Sequence, residues 1–168
     1  MNNYGGTWSG TYAVRKCDQS GTFAGWCAGL GGVGAILPFS LSLDQTLSAD
    51  RTRVGGTISL GTLTGNISGA VTGSDGHLEI GGSYNVTSSG IAFSITIGGW
   101  NTSIAGGSSM TGQWAQSISA INFGGNAYQE NLIVTSTHTA LQDAGRAPAP
   151  MSYQLTIGEA LARMHSVN

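Results

Sequence analysis

Charged side chains are scarce in this sequence. Only 8% of its 168 residues are charged, against about 25% in an average soluble domain. Lys16 is the single lysine, and the formal net charge is −2. Such a chain has no basic surface that would hold the phosphates of a nucleic acid. We therefore expect no nucleic-acid partner.

Long apolar runs and cysteines are also few. No run approaches the roughly 20 residues of a membrane helix, so we expect no membrane span. Cys17 and Cys27 are the only cysteines, and a disulfide between them would stabilise the fold by roughly 2–3 kcal/mol. Two free structural thiols are the alternative. Because a disulfide needs an oxidising compartment, the pair favours a secreted or periplasmic protein.

Glycine, serine and threonine are abundant instead, with 28 glycines in the chain. Such a composition can indicate a disordered linker, but 40% of the residues are hydrophobic and they alternate regularly. The alternation is clearest in residues 61–73, where every odd position is glycine or a large aliphatic. Glycines alternating with branched aliphatics on one face are typical of a strongly curved sheet, such as the wall of a small barrel.

The same period of two predicts eight strands, at about residues 6–15, 36–43, 51–60, 61–73, 77–86, 91–100, 109–116 and 126–138. Asp75-Gly76 predicts a tight hairpin turn. Gly98-Gly99 predicts a β-bulge that keeps Trp100 on the inner face. Sequential strands joined by mostly short turns favour an all-β fold, an eight-stranded antiparallel up-and-down barrel with a short C-terminal helix. A β-sandwich is the alternative.

The composition divides the chain into a barrel domain, residues 1–139, and a C-terminal segment, residues 140–168. Residues 145–150 form a proline- and alanine-rich linker. Residues 156–166 have apolar side chains at helical spacing, and Thr156 with Glu159 predicts a capping box. This amphipathic helix is expected to dock on its own barrel, or else to mediate self-association or the docking of a partner protein.

Several short motifs resemble those of the calycins, the family of lipocalin- and avidin-type barrels. They are Gly6-Thr7-Trp8, Gly82-Ser83-Tyr84, Trp100-Asn101 and Thr111-Gly112-Gln113-Trp114. The resemblance implies an eight-stranded barrel with a central ligand cavity and a trailing helix. The chain departs from lipocalins because residues 132–139 contain no lysine or arginine. The polar set that contacts biotin in avidins has no residue-by-residue match, so biotin binding is not implied.

Aromatic residues on the predicted inner face are the candidate ligand-binding residues. They are Tyr12, Phe39, Tyr84, Phe93, Trp100, Trp114 and Tyr128. Together they favour non-catalytic binding of a small hydrophobic or aromatic molecule in a central cavity, with tyrosine hydroxyls and indole N–H groups orienting it. The alternative is that the same side chains fill the core of a small barrel. No cofactor is expected.

Two other functions remain open from the sequence. Glu130 is in phase with Tyr128 and Leu132, so it would be a buried carboxylate and a weak catalytic candidate for a barrel cyclase or isomerase. A register shift before it would place it outside the barrel. In an extracellular carbohydrate-binding or adhesion module, by contrast, Phe23 and Trp26 would stack on sugar. The chain has no nucleophile motif, so an enzyme is the less favoured interpretation.

A metal site is not expected. His77 and Glu79 are two residues apart and share the outer face of a strand. A third ligand would have to be His138, on a strand distant in sequence. An exposed ion pair is the favoured interpretation.

Overall fold

The computed structural model describes residues 2–20, 26–29, 31–45, 52–61, 63–88, 91–120 and 131–143. These residues form eight strands and one short helix. The elements are β1 (Gly6–Gln19), α1 (Trp26–Gly29), β2 (Ile36–Asp44), β3 (Arg53–Leu60), β4 (Leu63–Thr72), β5 (His77–Ser88), β6 (Ile91–Ala105), β7 (Ser109–Ala120) and β8 (Asn131–Gln142).

The strands form one closed antiparallel barrel in sequence order. Each strand pairs with the next, and β8 returns to pair with β1 from Trp8 opposite Gln142 to Gln19 opposite Leu132. The prediction of an all-β, eight-stranded up-and-down barrel is therefore confirmed, and the sandwich alternative is wrong because the sheet has no open edge. The last strand ends at Gln142, so residues 140–142 of the predicted C-terminal segment belong to the barrel.

The predicted turn and bulge are both present. Residues 73–76 connect β4 to β5. Gly73 and Gly76 have φ values of 73° and 67°, which residues other than glycine rarely adopt. Between β6 and β7 the register shifts from Gly98 to Asn101. The shift leaves Trp100 on the inner face, 2% exposed. Because the bulge restores the phase of β6, that strand continues five residues beyond the predicted end.

The barrel wall is tightly curved, and five strand glycines lie where neighbouring backbone approaches too closely for any side chain. A Cβ at each of them would overlap a carbonyl oxygen of an adjacent strand. They are Gly10, Gly56, Gly69, Gly82 and Gly112. The glycine alternation of the sequence therefore reflects backbone packing as well as curvature.

Residues before β1 close one end of the barrel. Tyr4 is fully buried, and its hydroxyl donates to the Gly76 carbonyl at 2.9 Å, with the Thr102 carbonyl at 3.2 Å. The backbone N–H of Tyr4 donates to Gln45 Oε1 at 2.6 Å. In turn, Trp8 Nε1–H donates to the Tyr4 carbonyl at 2.9 Å. Burial raises the pKa of the Tyr4 phenol, so the side chain that closes this end of the barrel is uncharged.

The two cysteines lie at the other end. Cys17 on β1 and Cys27 on α1 are paired, with 6.4 Å between their Cα atoms. The Cys27 N–H donates to Gln19 Oε1 at 3.1 Å, which holds α1 against β1. A cysteine pair at disulfide distance is compatible with an oxidising, extracellular location.

The predicted linker and C-terminal helix, residues 145–150 and 156–166, lie outside the described residues. Among the residues described, no helix has the length and apolarity that a membrane crossing requires.

Candidate functional site

Four predicted ligand-binding residues have described side chains, and all four point into the barrel. Tyr12 is 5% exposed and Phe39 is fully buried, while Trp100 and Trp114 are 2% and 1% exposed. The period of two along each strand places them there, with the bulge in β6 correcting the phase for Trp100. The sequence prediction of an inward aromatic set is therefore confirmed for these four residues, although their ligand-binding role stays a prediction.

The other candidates cannot be placed in the same way. Tyr84 lies on β5 and Phe93 on β6, but their side chains are outside the described part of the chain, as is the side chain of Trp26. Tyr128 and Glu130 lie wholly outside the described residues. Their predicted roles stay predictions.

The inward rings contact one another and form an aromatic cluster in the middle of the barrel. We define the aromatic cluster as Tyr12, Phe39, Trp100, Trp114 and His138. Ring centroids are 4.3 Å apart for Trp100 and Trp114, 4.9 Å for Tyr12 and Trp114, and 5.0 Å for Phe39 and Trp114. Such pairs contribute about 0.5–1.5 kcal/mol each beyond the burial of their surface. The cluster is thus a set of mutually packed aromatic rings inside the barrel.

His138 was not predicted as an interior residue. It is 2% exposed, and its ring centroid lies 4.3 Å from that of Trp100 and 5.4 Å from that of Trp114. Its position is in phase with Val134, which shares the inner face of β8, and that spacing was the available signal. Because His138 is inside the barrel, it cannot join His77 and Glu79 on the outer face.

Hydrogen bonding fixes which nitrogen of His138 carries the proton. The Thr102 hydroxyl donates to the Thr111 carbonyl at 2.8 Å. Its one proton is therefore used, so it accepts from His138 Nε2–H at 3.1 Å. Desolvation by burial lowers the pKa of His138 to about 4, so the ring is neutral at pH 7. Nδ1 is consequently a buried acceptor with a free lone pair.

Five buried polar atoms have no hydrogen-bond partner among the described residues, and they share one wall of the barrel. We call their residues the polar strip: Trp100 (Nε1), Trp114 (Nε1), Gln116 (Nε2), Ser136 (Oγ) and His138 (Nδ1). They come from three adjacent strands, β6, β7 and β8, and Trp114 lies directly opposite Ser136. Leaving a buried donor or acceptor unpaired costs about 1–3 kcal/mol.

Among the other described residues inside the barrel, comparable polar groups are paired. Trp8 is as deeply buried as Trp114, yet its indole N–H has the Tyr4 carbonyl as acceptor. The Thr102 hydroxyl both donates and accepts. The unpaired atoms are therefore a feature of the polar strip, which marks it as the candidate site.

Ser136→Ala is expected to raise the free energy of unfolding by about 1 kcal/mol, because it removes an unpaired buried hydroxyl while nearly keeping the shape. Thr102→Val is the matched control and is expected to lower it by about 1–3 kcal/mol, since that hydroxyl has two partners. Urea denaturation of both variants measures the difference. A loss of stability in Ser136→Ala would show that a buried water or another group satisfies this hydroxyl.

The predicted outer pair forms part of a small ionic group. His77 Nδ1 lies 2.9 Å from Asp75 Oδ1, and His77 Nε2 lies 3.0 Å from Glu79 Oε1. The Asp75 hydrogen bond, followed by that of Glu79, raises the pKa of His77, and His77 lowers the pKa of Asp75. The residues described contain no group of three His, Cys, Asp or Glu side chains that could hold a metal ion. The arrangement is that of an exposed ion pair.

Comparison with known proteins assigns no family: neither a protein-family model nor a curated protein matches the sequence.

Proposed function

We propose that this barrel binds a small hydrophobic or aromatic molecule in its interior and does not transform it. The observation that carries the proposal is the polar strip. Its five residues lie on the adjacent strands β6 to β8, inside a barrel whose other described inner residues are mostly aliphatic or aromatic. A few convergent polar groups in an apolar surrounding are typical of small-molecule sites.

The energy of the polar strip argues against a purely structural role. Five unpaired atoms, each costing about 1–3 kcal/mol, together approach the about 5–15 kcal/mol of net stability that a domain has. Alanine at Ser136 or methionine at Gln116 would fill the same space without that cost. A ligand that pairs with these atoms would recover the energy on binding.

The surroundings of the polar strip favour a flat, largely apolar molecule. Three of its residues, Trp100, Trp114 and His138, also belong to the aromatic cluster. Toward the end of the barrel away from residues 2–5 the inner face is aliphatic, with side chains no more than 1% exposed: Val14, Ile95, Ile118 and Val134. Because residues 2–5 close one end, the ligand would enter from the end that carries Cys17 and Cys27.

The fold and the cysteine pair support the wider proposal. A closed eight-stranded antiparallel barrel fits a calycin-like fold in general, and calycin-like barrels suit the binding of one small ligand. The Cys17–Cys27 pair supports a secreted or periplasmic protein. Docking or self-association through residues 156–166 belongs to the same proposal and rests on the sequence pattern alone.

Trp114→Phe tests the proposal, because it removes an unpaired N–H and keeps an aromatic ring. Native mass spectrometry of the purified protein and calorimetric titration with uncharged aromatic compounds are expected to reveal a bound molecule. A lost neutral hydrogen bond weakens binding about 5- to 10-fold. Trp8→Phe loses the same volume, but its N–H belongs to the Tyr4 carbonyl, so its affinity is expected to stay within about twofold.

Two results would contradict the proposal. One is the absence of both a co-purified compound and any binding in the titrations. The other is an equal loss of affinity in Trp8→Phe and Trp114→Phe, which would indicate a general effect on the core rather than a contact with the ligand.

A further inference from the structure

We infer that the ligand is an uncharged cyclic amide, whose carbonyl oxygen accepts from the indole N–H groups and whose N–H donates to His138 Nδ1. This inference rests on the proposed function and adds the chemical class of the ligand. It follows from three properties of the polar strip: its balance of donors and acceptors, its lack of charge, and the placement of its groups on one wall of the barrel.

The polar strip offers more donors than acceptors. Trp100 and Trp114 each present an N–H, and Gln116 presents its amide nitrogen. His138 Nδ1 can only accept, because Nε2 holds the ring proton, while the Ser136 hydroxyl can do either. A complementary ligand therefore carries strong acceptor atoms together with one donor. An amide carbonyl has two lone pairs and can accept from two of these groups at once.

The described interior contains no charge to match an ionic ligand. Its buried polar residues are Gln45, Thr102, Gln116, Ser136 and His138, and His138 is neutral at pH 7 because burial lowers its pKa to about 4. A carboxylate would lose its hydration without a cation to pair with. A cation would face the positive ends of the three N–H donors. An uncharged ligand is the one that the site accommodates.

The placement of the unpaired groups on one wall favours a cyclic amide. Trp114 on β7 lies directly opposite Ser136 on β8, and His138 lies on the same strand as Ser136. The N–H of a cyclic amide lies in the plane of its ring beside the carbonyl. A phenol would have to donate and accept through a single oxygen, so it reaches fewer of the atoms on three separate strands.

The test compares 2-quinolone with N-methyl-2-quinolone, two uncharged rings that differ in one N–H. In calorimetric titrations, 2-quinolone is expected to bind at least tenfold tighter than its N-methyl derivative. His138→Phe keeps a ring in the cluster but removes the acceptor, so it is expected to bring the two affinities within about twofold of each other.

Equal affinities of the two quinolones for the unmodified protein would overturn the inference, and so would binding of neither. A preference that persists in His138→Phe would do the same, and tighter binding of quinoline-2-carboxylate would show that the site takes anions. The comparison of 2-quinolone with its N-methyl derivative uses the unmodified protein, so it tests the inference even if His138→Phe does not fold. A co-purified compound without an amide would leave the proposed function standing and remove this inference alone.

Discussion

Gly56→Ala is expected to destabilise the barrel by more than about 3 kcal/mol, enough to unfold part of the population at room temperature. Gly56 lies on β3 opposite Leu43 of β2. A Cβ there would overlap the Ser42 carbonyl oxygen and come within 3.0 Å of Leu43 Cα. All these atoms belong to backbone, so no flexible side chain can move aside, and the strands must separate and lose ladder hydrogen bonds.

Gly55→Ala is the matched control, one residue away on the same strand. A Cβ at Gly55 would meet no heavy atom within 4 Å. Where the backbone is compatible, alanine stabilises by about 0.4–1 kcal/mol, because it restricts the unfolded chain. Urea denaturation of both variants is therefore expected to give changes of opposite sign. Similar changes in the two would show that strand propensity, and not the approach of β2, decides the effect.

These two glycines show what the sequence could and could not predict about the fold. The alternation in residues 61–73 and its counterparts predicted all eight strands, since one apolar face per strand is a local property. The turn at Asp75-Gly76 and the bulge at Gly98-Gly99 were also predicted correctly, because adjacent residues determine them. The alternation places Gly56 in phase with the apolar Val54 and Ile58, but it does not show that Gly56 lies against a carbonyl oxygen of β2, because that distance depends on another strand.

The candidate site likewise contains residues that the sequence predicted and residues that it did not. Trp100 and Trp114 were predicted to face inward because apolar residues in phase indicate the buried face. Polar residues such as Ser136 and His138 were not, since a polar side chain in a strand ordinarily indicates the solvent face. Whether a buried polar atom has a partner depends on neighbouring strands, so the polar strip became apparent only from the structure.

Acidification from pH 7 to pH 4.5 is expected to lower the free energy of unfolding by about 2 kcal/mol through His138 alone. Its pKa is about 4 in the folded protein, below the usual value of about 6.5 in the unfolded chain. The unfolded state therefore binds more protons in this window. The stability that depends on neutral His138 is complete above pH 6.5 and is lost as the pH falls toward 4.

The neighbours of His138 do not offset this loss. Tyr12 lies opposite it on β1 and Gly112 on β7, and the rings of Phe39 and Trp100 contact it. None of these described neighbours is a carboxylate that would stabilise the protonated ring.

Two variants separate His138 from the rest of the protein in urea denaturation at pH 7, 5.5 and 4.5. His138→Phe is expected to lose most of the dependence on pH. His77→Gln is expected to keep it or steepen it, because the pKa of His77 is raised by Asp75 and Glu79. The stabilisation from His77 is therefore present at low pH and is lost as the pH rises through its folded pKa. An unchanged pH dependence in His138→Phe would show that His138 is not the buried neutral group.

The same titration links stability to binding. A ligand N–H that donates to His138 Nδ1 binds only the neutral ring, so it lowers the pKa of His138 further. By linkage, acid then weakens binding of 2-quinolone below about pH 4, while the N-methyl derivative, which makes no such bond, depends less on pH. A barrel loaded near neutral pH would release an amide ligand on strong acidification, and the polar strip would account for both the affinity and the release.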